Sequence, residues 1–234
     1  MRQDAFHFMF AAAATQPQVR EILPKEYSFT ELKSERDRVS IWECDTHFIE
    51  GYNGTEPKWV DWAENFDFWP NRDGIQHEYA NTVQRFTRSL VDLEKSKPVR
   101  GVGHSQGSAH AFASAFYKWM LARQTTEWVY GTGGPAWALD ERKVKGSRAV
   151  CGRDPVTMEC FNRFRFFKRI KRLPKTQLEG CPGGKKLCIL DHDLIPYANG
   201  FAIECKKSGD VEGERKMHEL MEVCNQQWRG LEGV

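Results

Sequence analysis

The segment Val99-Arg-Gly-Val-Gly-His-Ser-Gln-Gly107 constrains this chain more than any other. A short apolar strand ends in Gly103-His104-Ser105-Gln106-Gly107. The residues that follow, Ser108-Ala-His-Ala-Phe-Ala-Ser-Ala-Phe-Tyr-Lys-Trp119, read at once as a helix. A G-x-S-x-G run between strand and helix marks a sharp turn that projects its serine from the end of a sheet. Gly103 and Gly107, two positions either side of Ser105, are small enough for strand and helix to approach closely, and His104 completes the elbow. A helix that starts at the serine also aims N–H groups and its positive dipole end at the oxyanion of an acyl transfer. The segment therefore predicts a nucleophilic Ser105. Phosphate-binding readings fail at the same place. A dinucleotide fingerprint has its third glycine where Gln106 stands, and a phosphate loop has a lysine that is missing here.

Strand patterns at 39–44 and 47–52, joined by Asp45-Thr46, predict an antiparallel pair. A helix is expected over about 75–93, with Tyr79, Val83, Phe86, Leu90 and Leu93 near helical spacing. After the strand at 98–103, the elbow helix carries Ala109, Phe112, Ala113, Phe116, Trp119 and Met120 along one stripe. Strands are then expected at 127–130, 147–151 and 186–190, and a charged helix over about 209–228. Strands alternating with helices predict an α/β fold: a mostly parallel sheet with an antiparallel N-terminal edge and helices on both faces. A length of 234 residues suits one such domain over 1–234, with the basic, aromatic, proline- and glycine-containing stretch at about 156–185 as an insertion. A formal net charge of +2 gives no reason to expect a nucleic-acid partner, and no run reaches membrane-spanning length.

At the N-terminus, Ala5-Phe-His-Phe-Met-Phe-Ala-Ala-Ala-Ala14 loosely resembles a secretory signal, but Asp4 and His7 break its charge pattern. The preferred reading is a helix packed on the sheet, with cytoplasmic localisation expected. Secretion is the alternative if residues 1–15 act as a signal. Seven cysteines (Cys44, Cys151, Cys160, Cys181, Cys188, Cys205, Cys224) form no C-x-x-C pair and match no zinc spacing. No metal is expected, and the thiols are expected mostly reduced, with a Cys181–Cys188 bridge reserved for the secreted case.

A serine nucleophile needs a base and an orienting carboxylate, and on this type of elbow the order along the chain is serine, acid, histidine. Three histidines follow Ser105: His110, His192 and His218. His110 lies on the elbow helix pointing away from the mouth, and His218 sits in the charged terminal helix. His192 follows the apolar run 187–190, at the strand end where α/β sites assemble, and is expected to be the base. Asp154, just past the strand at 147–151, is expected to be the acid. Asp140 follows a different strand, while Asp191 and Asp193 flank the histidine too closely to reach its far nitrogen. An Asp-Pro turn is the plainer reading of Asp154.

The ordered set of segments resembles the class 3 lipase family, the fungal-lipase group of the α/β-hydrolase superfamily. Gly54-Thr55, Asp61-Trp62-Ala-Glu-Asn65, His77-Glu-Tyr79, Gly103–Gly107, Gly131-Thr-Gly-Gly-Pro135, Arg148 through Asp154-Pro155-Val156, and Asp191-His192 through Tyr197 occur in the family's order, over roughly residues 39–203. The resemblance implies an α/β-hydrolase fold and an oxyanion hole from Thr55 and the N–H of Gln106. It also implies a serine carboxylic-ester hydrolase acting on lipid esters, as a lipase or esterase, with phospholipase or lysophospholipase chemistry as the alternative on the same triad. No metal or organic cofactor is required. Tyr52-Asn53, Gln106 and Glu78-Tyr79 depart from the family's usual residues, which bears on substrate preference more than on the reaction.

Two aromatic segments bracket the expected mouth. Trp59, Trp62, Phe66 and Trp69 follow the oxyanion residue and suit an acyl site or a lid. Phe161-Asn-Arg-Phe-Arg-Phe-Phe-Lys-Arg-Ile-Lys-Arg172 suits an amphipathic segment packed inward, peripheral contact with an anionic membrane surface or, as the least favoured reading, nucleic acid met by stacking and phosphate contact. Rivals of another class are a non-catalytic lipid-binding module and a dinucleotide-binding one. The latter rests on Gly131-Thr-Gly133-Gly-Pro-Ala136, but Pro135 sits inside the turn and the helix that should follow is poor.

Overall fold

In a computed structural model that describes residues 1–34, 37–54, 70–152, 154–157, 171, 173–180 and 192–231, a sheet carries helices on both faces. The elements run α1 (Gln3–Thr15), β1 (Ser28–Lys33), β2 (Arg38–Glu43), β3 (Phe48–Tyr52), α2 (His77–Leu93), β4 (Val99–His104), α3 (Gln106–Ala122), β5 (Thr126–Thr132), β6 (Gly146–Cys151), β7 (Lys175–Leu178), α4 (Leu194–Lys207) and α5 (Val211–Leu231). The seven described strands lie in chain order across one sheet. β1–β2 and β2–β3 pair antiparallel, and every later pair is parallel.

The N-terminal segment folds as a helix of the core. Phe8, Met9, Phe10 and Ala11–Ala14 leave α1 apolar on every side, a composition that must be covered all round. It packs on β3 and β4 with α4 and α5 beside it, and Ala5 with Phe8–Ala14 is almost wholly buried. On the opposite face α2 and α3 pack over Val39, Ile41, Phe48, Val99 and Val129. Alanines at 109, 111, 113 and 115 let α3 lie close to the sheet, with Phe112 stacked on Trp137 at 5.9 Å. A buried charge cluster also ties α3 to the sheet. Lys118 bonds to Glu50 of β3 and, at 3.0 Å, to Glu94 just past α2, while the Ser114 hydroxyl donates to Glu50 at 2.6 Å. Burial pushes Glu94 up to about 7, against the pull of Lys118.

Three features depart from the sequence expectation. β2 is not the sheet edge, because β1 pairs outside it over Ser28–Lys33. Its exposed, mixed residues show no clean alternation, so only its partner reveals it. β7 lies inside the stretch read as an insertion: Lys-Thr-Gln-Leu is too short and polar to signal a strand, yet it pairs along β6. The C-terminal region holds two helices rather than one. α4 contains Pro196 and Gly200, residue types that ordinarily disfavour a helix interior. Pro196, however, sits in the first turn, where no N–H donor is needed, and Gly200 lies where a Cβ would press on Leu178. The expected strand at 186–190 and the aromatic-basic segment 161–170 lie outside the described residues. Cys151 is disulfide-bonded, whereas Cys44, Cys205 and Cys224 are free, so the thiols are not uniformly reduced. Sequence spacing cannot reveal a bridge whose partners are brought together by the fold.

Candidate active site

The register of the parallel strands places the site. Tyr52 of β3 pairs with Gly103, His104 pairs with Thr132, and Thr132 pairs with Ala149. The carboxyl ends of β4, β5 and β6 therefore open together on one edge. Ser105 stands on β4's end as the N-cap of α3, with φ 56° and ψ −132°. This is a left-handed conformation that non-glycine residues seldom adopt. Its N–H donates to the Thr132 carbonyl at 2.9 Å, and its own carbonyl accepts from Ser108 N–H at 3.1 Å. A Cβ on Gly103 would fall 2.3 Å from the Gly107 backbone, so the turn closes only with glycine there.

β6 delivers the carboxylate. After Cys151 the chain turns through Gly152, and Asp154 N–H donates to the Cys151 carbonyl at 3.0 Å. Asp154 is completely buried. Its Oδ1 accepts from Val156 N–H at 2.9 Å, and its Oδ2 accepts from the Tyr197 hydroxyl at 2.7 Å. The histidine comes from the other side of the chain. Asp193, beside it, caps α4 by accepting from Leu194 N–H at 2.6 Å, which fixes where His192 emerges. His192 Nδ1 lies 2.9 Å from Asp154 Oδ2, and Nε2 lies 2.7 Å from Ser105 Oγ. A carboxylate can only accept, so Nδ1 carries the hydrogen and Nε2 offers its lone pair to the serine hydroxyl.

His104 supports His192 from beneath. Burial, followed by the neighbouring His192, pushes its pKa down to about 3, so its ring is neutral. Its Nε2 lies 2.9 Å from the His192 carbonyl, which can only accept, and its Nδ1 lies 3.1 Å from the Thr132 hydroxyl. The two imidazoles stack with centroids 5.3 Å apart. Gly133, at φ 60°, closes the floor: a Cβ there would meet His104, Tyr197 and Asp154 at 3.0, 3.1 and 3.2 Å. Buried Arg148 fastens this loop. It bonds both Glu141 carboxylate oxygens at 3.0 Å and the Gly134 carbonyl.

The structure thus brings together Ser105, Asp154, His192 and the elbow residues Gly103, His104 and Gly107, with Gln106 opening α3 directly beside the serine. His110 faces away, its ring against Tyr79 and Tyr52. Thr55, Trp59, Trp62, Phe66 and Trp69 lie outside the described residues. Gly54, just before Thr55, abuts the elbow, where a Cβ would stand 3.5 Å from that of Ser105. Sequence reasoning did not assign the supporting contacts of Thr132, Tyr197 and Arg148. All three stood within segments already singled out, but their partners lie far away in the chain. The dinucleotide reading loses its helix: beyond β5 the chain runs through the Gly133–Pro135 loop to a 3-10 turn at Glu141–Lys143.

Comparison with solved structures gives the class of fold. A fungal lipase bound to an inhibitor superposes over 81% of this chain and 91% of its own, with a TM-score of 0.64 at 12% identity. A Rhizomucor miehei lipase with its propeptide covers 82% of this chain and 76% of its own, with a TM-score of 0.59 at 12% identity. Lipase II from Rhizopus niveus covers 68% and 76%, with a TM-score of 0.54 at 14% identity. Neither protein-family models nor curated protein sequences give a match. The fold is the α/β-hydrolase fold of the fungal lipases.

Proposed function

We propose that this chain is a serine carboxylic-ester hydrolase of the lipase or esterase type, acting on lipid esters through an acyl-enzyme. One observation carries the reading: the unbroken line from Ser105 Oγ to His192 Nε2 at 2.7 Å and from His192 Nδ1 to Asp154 Oδ2 at 2.9 Å, set on a strained serine. Ser105 Oγ attacks the ester carbonyl while His192 Nε2 takes its proton and then returns it to the leaving alcohol. Asp154, dry and held by Tyr197 and Val156, keeps Nδ1 as the hydrogen-bearing nitrogen and faces the imidazolium as it forms. Water, activated by the same histidine, then releases the acid. The oxyanion falls to the Gln106 N–H at the start of α3, with Thr55 as the second donor.

The lipid part of the reading is supported by the likeness to fungal lipases, one of which is described as a triacylglycerol lipase with a serine-protease triad. Peripheral contact with an anionic membrane surface through the Phe/Arg segment 161–172 belongs to the same proposal, read from its sequence alone.

The test is labelling of the folded chain with a fluorophosphonate and mass spectrometry of the modified peptide. Adduct on Ser105, absent in Ser105→Ala and in unfolded protein, is the expected result. Full ester turnover by Ser105→Ala would sink the assignment.

A further inference from the structure

A second nucleophile–base pair lies in the β2–β3 turn, at the opposite end of the sheet. Phe48, which begins β3, pairs with Val99, and Ser105 stands six residues further along that strand direction. The turn is therefore roughly 20 Å from the triad, at about 3.3 Å per strand residue. Cys44 Sγ lies 3.3 Å from His47 Nδ1 and 3.4 Å from Thr46 Oγ1. Thr46 Oγ1 is itself 2.9 Å from the same ring nitrogen, and Tyr27 Oη holds the far one at 3.1 Å. A nucleophile in reach of a ring whose other nitrogen is fixed by a third group is the arrangement of an activated thiol. The ring is buried, while Cys44 as a residue is only partly buried, within reach of a solute.

The charges around the pair come from four directions. Glu26 and Tyr27 precede β1, Glu43 ends β2, Lys97 donates to the Cys44 carbonyl at 2.8 Å, and Arg100 of β4 and Glu127 of β5 act on His47. Burial, then Arg100, lowers the pKa of His47 and keeps its Nδ1 lone pair available. Burial raises the Cys44 thiol, but hydrogen bonding with the Thr46 hydroxyl, the Thr46 and His47 backbone and Tyr27 outweighs it and holds the thiol below its ordinary value. The other two free cysteines among the described residues go the opposite way: burial pushes Cys205 up to about 11 and Cys224 up to about 12.

We propose that Cys44 is a covalent modification site for small disulfides, with His47 and Thr46 as the groups that activate its sulfur. In the step, the thiol proton passes to His47 Nδ1. The sulfur attacks one sulfur of the disulfide, so that a new S–S bond forms as the old one breaks. The displaced half leaves as a thiolate and takes up the proton, so the disulfide itself is the only oxidant consumed.

The experiment uses the full chain, with oxidised glutathione to form the mixed disulfide and iodoacetamide to measure rates by peptide mass spectrometry. At pH 7 an ordinary thiol is only a few per cent ionised, so Cys44 in the folded chain should be alkylated about five- to tenfold faster than in the same chain unfolded in urea. The mixed disulfide should form at Cys44 and not at Cys205 or Cys224. His47→Gln and Thr46→Val should each move the folded rate toward the unfolded one while fluorophosphonate labelling of Ser105 persists. A Cys44 that reacts no faster folded than unfolded overturns the proposal without any variant, as does an unchanged rate in both. Loss of Ser105 labelling in the parent chain would count against the hydrolase reading and leave the Cys44 result independent.

Discussion

Asp154→Asn tests the proposed chemistry most severely, because the site offers the amide no good orientation. Asp154 accepts from Val156 N–H at Oδ1 and from both Tyr197 O–H and His192 Nδ1 at Oδ2. An asparagine has one acceptor oxygen. If its NH2 replaces Oδ1, it meets the Val156 N–H, donor against donor. If it replaces Oδ2, the tyrosine hydroxyl can turn to accept, but His192 must then give up the hydrogen on Nδ1. The hydrogen moves to Nε2, where it faces Ser105 and blocks proton abstraction. Asp154 and Tyr197 are fully buried, so water does not relieve either mismatch. The unmatched pair should lower stability by about 1–3 kcal/mol. Loss of the productive tautomer should lower kcat by roughly 10⁴, or about 5 kcal/mol of transition-state stabilisation. The assay is turnover of a soluble nitrophenyl ester, with thermal unfolding and fluorophosphonate labelling of the same samples. A folded Asp154→Asn protein that turns over within tenfold of the parent would refute the reasoning.

Other perturbations separate the supporting parts. Tyr197→Phe keeps the ring against His104 but removes the 2.7 Å bond to Asp154. About 1.5–3 kcal/mol of stability should go with it, read by denaturant unfolding, and kcat should fall more than KM changes. Gly103→Ala places a Cβ 2.3 Å from the Gly107 backbone, which cannot yield without opening the elbow. Fluorophosphonate labelling should be lost, and an alanine variant that labels at the parent rate would show that the turn is looser than described.

Acid should destabilise the chain before its ordinary carboxylates titrate. Burial depresses His7 to about 4 and His104 and His110 to about 3. All three lie below the unfolded value of about 6.5, so their contribution is full above that pH and is lost as pH falls toward the folded values. Glu94, raised to about 7, has the opposite sign and offsets one of the three between about pH 4.5 and 6.5. The net excess of about two protons in the unfolded state corresponds to roughly 2.7 kcal/mol per pH unit. Urea midpoints that stay flat from pH 6.5 to about 5 would contradict these burials.

Some of this molecule is written locally. The run from Val99 to Trp119 contains its own strand, turn and helix, because the glycines flanking Ser105 and the small residues after it act within a few positions of one another. The apolar α1 and the pairing of β2 with β3 were legible for the same reason, since composition and period depend only on near neighbours. Asp154 and His192 were reachable as candidates by their places after strand-like runs, although the run before His192 lies outside the described residues. What no local pattern holds is partnership across the fold. β1 and β7 are strands because a neighbour supplies the other half of each hydrogen bond. α4 runs through Pro196 and Gly200 because one sits where no donor is needed and the other faces a close contact. Tyr197 finds Asp154, Arg148 finds Glu141, and Cys44 gains its base and Tyr27 only after the sheet has closed. Periodicity and composition determine which face of an element is buried. Which distant charge or hydrogen-bond partner that face meets is decided by strand order and register, and these exist only in the folded chain.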